Sequence, residues 1–265
     1  MKTLIIALLA FTMLDVSAQE FSLKPKGKIS ELTVHIQNLF SDLVIEGNNT
    51  GEIKIQADDY EGAPEKAAGL RPLSALGPDN TGIGLNINQA GNTVIISGMR
   101  RNRDNTDYSI TIPANIKLKI DYGSFQSDDI LVRGMSNEVE IKSQVGDLMF
   151  ENVTGPIIAS TLSSDIRVEF TTLNQSSPTS ISSISGDIDI TLPENSKGNF
   201  RLSSTSGEIY TDLDFDTVDT DASKWPRREK REFWGGTSAS TMLNGGGVEI
   251  TVRSVSGDIF MRKAD

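Results

Sequence analysis

One short word recurs along the second half of the chain and limits how the chain can fold. It appears as Val145-Gly146-Asp147-Leu148-Met149-Phe150, Ser163-Ser164-Asp165-Ile166-Arg167-Val168 and Ser185-Gly186-Asp187-Ile188-Asp189-Ile190. It returns as Ser206-Gly207-Glu208-Ile209-Tyr210 and Ser256-Gly257-Asp258-Ile259-Phe260-Met261, with a degenerate early copy at Ser127-Asp128-Asp129-Ile130-Leu131-Val132. The acidic positions 129, 147, 165, 187 and 208 are spaced by 18, 18, 22 and 21 residues, and Asp258 follows 50 residues later. Self-similarity at such a period marks stacked supersecondary units, none of which can bury its apolar face alone.

Each letter of the word has a physical role. Gly146, Gly186, Gly207 and Gly257 stand where a sharp corner between short strands needs φ > 0, which glycine adopts without a steric cost. The acids after them, Asp147, Asp187, Glu208 and Asp258, can accept hydrogen bonds from turn N–H groups. The apolar residue that follows, and the one two further on, face the same way, so Leu148, Ile166, Ile188, Ile209 and Ile259 are expected to form one interior column. Asp128 and Ser164 replace the glycine and imply wider or different corners.

Period-2 alternation runs through most of the remaining chain, as in Leu32-Thr33-Val34-His35-Ile36, Ile116-Lys117-Leu118-Lys119-Ile120 and Val139-Glu140-Ile141-Lys142. Such alternation marks strands with one buried face. The expected fold is all-β, a repetitive β-solenoid or β-helix-like stack of short strands, with a β-sandwich as the alternative. One short helical window is predicted, Pro64 to Ala68. The organisation reads as a signal peptide over 1–18, an N-terminal β region over 19–109 with a long loop at 62–82, and a β-repeat region over 110–265 with a long insertion at 214–247.

The N-terminus predicts export. Lys2 precedes an apolar run from Leu4 to Leu14, and Val16-Ser17-Ala18 supplies small residues ahead of cleavage after Ala18. That run is too short to span a bilayer core of about 30 Å. No membrane span is expected, and the protein is placed in the periplasm, on the cell surface or outside the cell. The chain has no Cys, which excludes disulfides, thiolate metal sites and a lipidated N-terminal Cys. Its formal charge of −11 disfavours nucleic acid and anionic lipid as partners.

The Pro-containing strand Ile110-Thr111-Ile112-Pro113-Ala114-Asn115, the run of Ser-Gly-Asp-Ile words, Leu192-Pro193, and the ending Asn244-Gly245-Gly246-Gly247 before Ser254-Val255-Ser256-Gly257-Asp258-Ile259 resemble the bacterial DUF4097 family in the form common in Bacteroidetes. The resemblance covers roughly Ile110 to Met261, with a looser likeness over Ile29 to Asn105. It implies a β-solenoid-like fold, no catalytic residues, and the family's description as candidate adhesins with β-strand repeats.

The residues themselves offer little chemistry of catalysis. The single His, His35, lies on the polar face of an alternating strand, and no Gly-x-Ser-x-Gly, His-Glu-x-x-His or phosphate-binding loop occurs. No catalytic residue, metal or cofactor is assigned. The stacked acids would repel one another unless solvated, capped by turn N–H groups or bridged by Ca²⁺; one acid per coil supplies few of the six to eight oxygens Ca²⁺ takes. The insertion carries Trp225, Arg227, Arg228, Phe233 and Trp234, residue types that anchor partners, or else form a lid over the stack. The expected function is that of a non-catalytic exported envelope protein, an adhesin or interaction scaffold whose partner is a protein or glycan. The alternatives are a polysaccharide-binding or polysaccharide-cleaving β-helix protein and an accessory subunit of an envelope-sensing system.

Overall fold

The structure is a computed structural model that describes residues 19–62, 65–67, 70, 78–99, 106–123, 125, 128–219 and 236–264. Among them the chain forms twenty-one strands and two single 3-10 turns, Ile29–Glu31 and Glu65–Ala67. The second turn falls inside the helical window expected from the sequence. The N-terminal strands are β1 (Gln19–Leu23), β2 (Thr33–Gln37), β3 (Leu43–Asn48), β4 (Ile53–Asp58), β5 (Leu85–Ala90), β6 (Thr93–Gly98) and β7 (Asp107–Pro113). The repeat strands are β8 (Lys117–Tyr122), β9 (Ile130–Arg133), β10 (Val139–Ser143), β11 (Leu148–Val153), β12 (Ile157–Ser163), β13 (Ile166–Phe170), β14 (Thr179–Ser185) and β15 (Ile188–Leu192). The C-terminal strands are β16 (Gly198–Ser204), β17 (Ile209–Thr211), β18 (Thr217–Asp219), β19 (Thr237–Leu243), β20 (Glu249–Ser256) and β21 (Ile259–Lys263).

From β6 to β18 successive strands alternate between two sheets that enclose one core. The first sheet runs β1-β4-β7-β3-β9-β11-β13-β15-β21-β17 and the second β18-β19-β16-β20-β14-β12-β10-β8-β2-β6-β5. Pairing from β9 through β21, and from β8 through β20, is parallel. One coil is therefore a strand of the second sheet, a corner, a strand of the first sheet and a return turn. This is a β-solenoid-like stack. It shares two facing layers with a sandwich but reaches them by parallel coiling. The two sequence regions contribute to both sheets, and β7 runs across the boundary at 109/110.

Alternation decides which side chains enter the core. In β13, Ile166, Val168 and Phe170 are buried while Arg167 and Glu169 face solvent; β15 repeats this with Ile188, Ile190 and Leu192. Register aligns Leu148, Ile166 and Ile188 as an interior column, as expected. The column's C-terminal end departs from chain order. Ile259 pairs with Ile188, and Ile209 pairs with the far side of Ile259. The last coil of the sequence, β20–β21, is thus inserted between β14–β15 and β16–β17. At the other end β2–β3 is inserted between β6–β7 and β8–β9. Antiparallel strands close the stack, β5 on β6 and β4 on β7 at one end, β19 on β16 at the other. The long insertion supplies β18 and β19, which form part of this closure.

Candidate functional site

The corners carry a ladder of carboxylates. The N–H of Asp147 donates to Asp129 Oδ1 at 2.8 Å, that of Asp165 to Asp147 Oδ1 at 3.0 Å, and that of Asp187 to Asp165 Oδ1 at 2.8 Å. The N–H of Asp258 donates to Asp187 Oδ1 and that of Glu208 to Asp258 Oδ1, both at 2.8 Å. Asp42 extends the ladder by accepting the N–H of Asp129 at 3.1 Å, and Glu208 ends it by accepting the Thr237 hydroxyl at 3.1 Å. Each acid therefore caps the corner of the neighbouring coil. A hydrogen bond to an ionised acceptor is worth roughly 1.5–3 kcal/mol, which offsets repulsion between rungs spaced about 4.8 Å apart. Among the described residues no group of three or more acidic or His side chains is arranged to hold a metal ion. At the Asp42 end, Asp128 sits above the ordinary carboxylate range because of partial burial and then the charges of Asp42 and Asp129.

The corner glycines are explained differently from the sequence expectation. Only Gly146 (φ +87°) and Gly186 (φ +155°) have positive φ among the four, so a left-handed conformation is not what they share. What they share is proximity to the next coil. A Cβ on Gly146 would lie 2.1 Å from the Asp128 carbonyl oxygen, on Gly186 2.1 Å from that of Ser164, on Gly257 2.1 Å from that of Gly186, and on Gly207 2.2 Å from that of Gly257. The reason for glycine is close approach of backbones along the stack. The chain bends at all four glycines but not at Ser164, whose corner is the more open one the sequence suggested.

Two outward rows flank the ladder. Two residues past each acid, register lines up Leu131, Met149, Arg167, Asp189, Phe260 and Tyr210 on neighbouring rungs. A groove of about 190 Å³ runs between Asp147, Asp165 and Asp187 on one side and Met149, Arg167, Asp189 and Phe260 on the other. The Phe260 ring stacks on Tyr210 with centroids 5.4 Å apart and 13° between planes, and the Arg262 guanidinium lies 5.3 Å from its centroid. Arg262 Nε also donates to both Asp189 oxygens at 2.8 and 3.0 Å, which holds the guanidinium above its usual value. Three residues before the acids, Leu162, Ile184 and Val255 form an apolar ridge, each about half exposed at 47%, 50% and 47%. The sequence word treats the first row only as its variable letter, so nothing in the repeat marks these residues as a site; position two after the acid is the signal that finds them.

The corner residues Gly146, Asp147, Gly186, Asp187, Gly207, Glu208, Gly257 and Asp258 come together in one line. Trp225, Arg227, Arg228, Phe233 and Trp234 lie outside the described residues. His35 Nε2 is 2.6 Å from Asp121 Oδ2 on the outer face of the second sheet, with Lys119 3.9 Å from the same oxygen. Its neighbours across the sheet are Ile95 and Lys119.

Residues 115–232 match the family model described as Toastrack DUF4097. Over that stretch the chain resembles the Toastrack type. The matched stretch begins at the turn before β8 and stops short of β19, so the C-terminal coil lodged inside the stack lies beyond it. Two solved structures are similar in outline. One is a candidate cell adhesion protein from Clostridium sporogenes, at 10% identity and a TM-score of 0.44, covering 94% of this chain and 100% of that one. The other is a candidate adhesin from Bacteroides fragilis, at 13% identity and a TM-score of 0.37, covering 94% and 98%. No curated protein matches the chain. Among the described residues, no helix is long and apolar enough to cross a membrane.

Proposed function

We propose that this protein is an exported, non-catalytic component of the bacterial envelope that uses its stacked outer face as an interaction surface, in the manner of an adhesin or scaffold. The observation that carries the reading is the ladder. It fixes a groove, a charged row and an apolar ridge in register over successive coils, with Asp129, Asp147, Asp165, Asp187 and Asp258 each capping a neighbouring corner. Groups so occupied suit presentation of a rigid surface better than proton transfer. The sequence start, with Lys2 and the apolar run to Leu14, supports export. The insertion with Trp225, Arg227, Arg228, Phe233 and Trp234 is proposed as a second contact element.

Fractionation of the producing bacterium tests the reading. The protein is expected in the periplasmic or surface fraction with Gln19 as its first residue, and cells lacking it are expected to lose attachment or envelope integrity. Recovery from the cytosol with Met1 retained, or release of soluble sugar from envelope polysaccharide by the purified protein, refutes it.

A further inference from the structure

The groove beside the carboxylate ladder has the composition of a site for a hydroxyl-rich polymer. We propose that it binds a segment of a neutral linear glycan lying along the stack axis. This rests on reading the outer face as the interaction surface and names the ligand class for it.

Size comes first. The groove holds about 190 Å³, below the ~300 Å³ at which pockets begin to engulf a drug-sized molecule. It is open along the stack and is lined by residues from four successive rungs, β11, β13, β15 and β21. A groove of this kind grips part of a long ligand. Its polar groups recur at the strand spacing of about 4.8 Å, close to the rise of one sugar ring in an extended chain.

The chemistry comes next. In Asp147, Asp165 and Asp187 one carboxylate oxygen accepts a backbone N–H from the next coil. The ladder thereby fixes the orientation of each carboxylate, and the second oxygen is left to accept from a ligand hydroxyl. The Arg167 side chain faces solvent between these acids and makes no hydrogen bond or ion pair with any described residue. It supplies donors for ring and hydroxyl oxygens. Its neighbour on the next rung, Asp189, is already held by Arg262. At one end Phe260, stacked against Tyr210, lines the groove and supplies apolar contact for the C–H groups of a sugar. Met149 provides apolar contact towards the other end.

Charge discriminates among polymers. The row of acids repels an anionic chain. A lysine-rich chain would be drawn to the acids, yet the uncompensated Arg167 stands in its path. A neutral glycan uses acceptors, donors and apolar wall together.

The test is titration calorimetry of the purified full protein with cellohexaose, chitohexaose and xylohexaose, with decalysine as the charged comparison. At least one hexasaccharide is expected to bind with Kd below about 1 mM. Arg167→Ala and Phe260→Ala should each weaken it about tenfold, while Lys142→Ala, on the outer face of the other sheet, leaves it unchanged. A thermal melt of each variant establishes that it is folded. Arg167→Lys, which keeps the charge and shortens the donor set, should fall between wild type and Arg167→Ala. The proposal is overturned if no hexasaccharide binds, if decalysine binds more tightly than all three, or if binding survives both substitutions in folded protein. A protein that binds a hexasaccharide but resides in the cytosol would refute export and leave the groove assignment standing.

Discussion

Gly186→Ala is the sharpest test of how the coils fit together. The added methyl would be built 2.1 Å from the carbonyl oxygen of Ser164 in the neighbouring coil, with the Ser164 carbonyl carbon at 2.5 Å and the Asp165 nitrogen at 3.1 Å. All three are backbone atoms, so no side chain can swing aside. Relief requires the two corners to part by about 1 Å out of a strand spacing of about 4.8 Å. That movement stretches the bond from the Asp187 N–H to Asp165 Oδ1 (2.8 Å), which crosses the same interface. Overpacking costs about 1–3 kcal/mol, and weakening a charge-assisted bond adds up to roughly 1.5–3 kcal/mol more. Against this, Ala restricts the unfolded chain and stabilises by about 0.4–1 kcal/mol. The net expectation is a loss of about 2–4 kcal/mol, read as a lower urea midpoint, and roughly 5–12 °C in Tm for a chain of this size. Ser164→Gly is the comparison. Its corner already tolerates a Cβ, and its buried hydroxyl has no partner among the described residues, so the change should be close to neutral. A neutral or stabilising Gly186→Ala would refute the close-approach account of the repeat word.

Other perturbations separate the rows. Ile188→Ala, at a fully buried rung, should cost about 2–5 kcal/mol, whereas Asp189→Ala removes only an outer-face pair with Arg262 and should cost clearly less; equal losses in urea melts would contradict the register. Asp165→Ala removes the acceptor for the Asp187 N–H and should destabilise by about 1–3 kcal/mol, whereas Asp165→Asn, which keeps a side-chain oxygen, should retain most of that stability. Asp128→Asn should stabilise near neutral pH. Partial burial, then Asp42 and Asp129, raise the folded-state pKa of Asp128, so the folded protein holds that proton more tightly than the unfolded chain and ionisation works against folding. The gain should be full above the folded pKa and vanish as pH falls below the ordinary Asp value of about 3.9, a trend that urea midpoints across pH would check.

The repeat word made the coil, its interior column and the capping role of its acids readable, because each depends on local alternation and on a turn acceptor at a fixed place. Two features were not readable. The glycine requirement arises from the carbonyl of a neighbouring coil, an atom 18 to 71 residues away in the chain, and no local rule distinguishes it from a demand for φ > 0. The groove is built from the letter that varies. Met149, Arg167, Asp189 and Phe260 share a row only after register is fixed, and as single letters they look like unrelated solvent-facing residues.

The interval of 50 residues between Glu208 and Asp258 has a physical reading once stack order is known. In an ordinary solenoid each unit docks on its predecessor, and stability accumulates by nearest-neighbour contacts along the chain. Here β20 pairs with β14 on one side and β16 on the other, and β21 lies between β15 and β17. The coil β16–β17 therefore has no first-sheet or second-sheet strand of its sequence predecessor to pair with. Its parallel pairing is completed only when the later coil enters the gap. The inserted residues between the two give the chain the length to pass around β16, where β19 closes the outer edge antiparallel before β20 returns on the inner side. The N-terminal end repeats the device with β2–β3. Long-range closure of this kind costs loop entropy before it is rewarded. Among the described strands, three of the four sheet ends are antiparallel, β1, β5 and β18, where open parallel edges would otherwise recruit another chain, while β17 ends the first sheet in parallel.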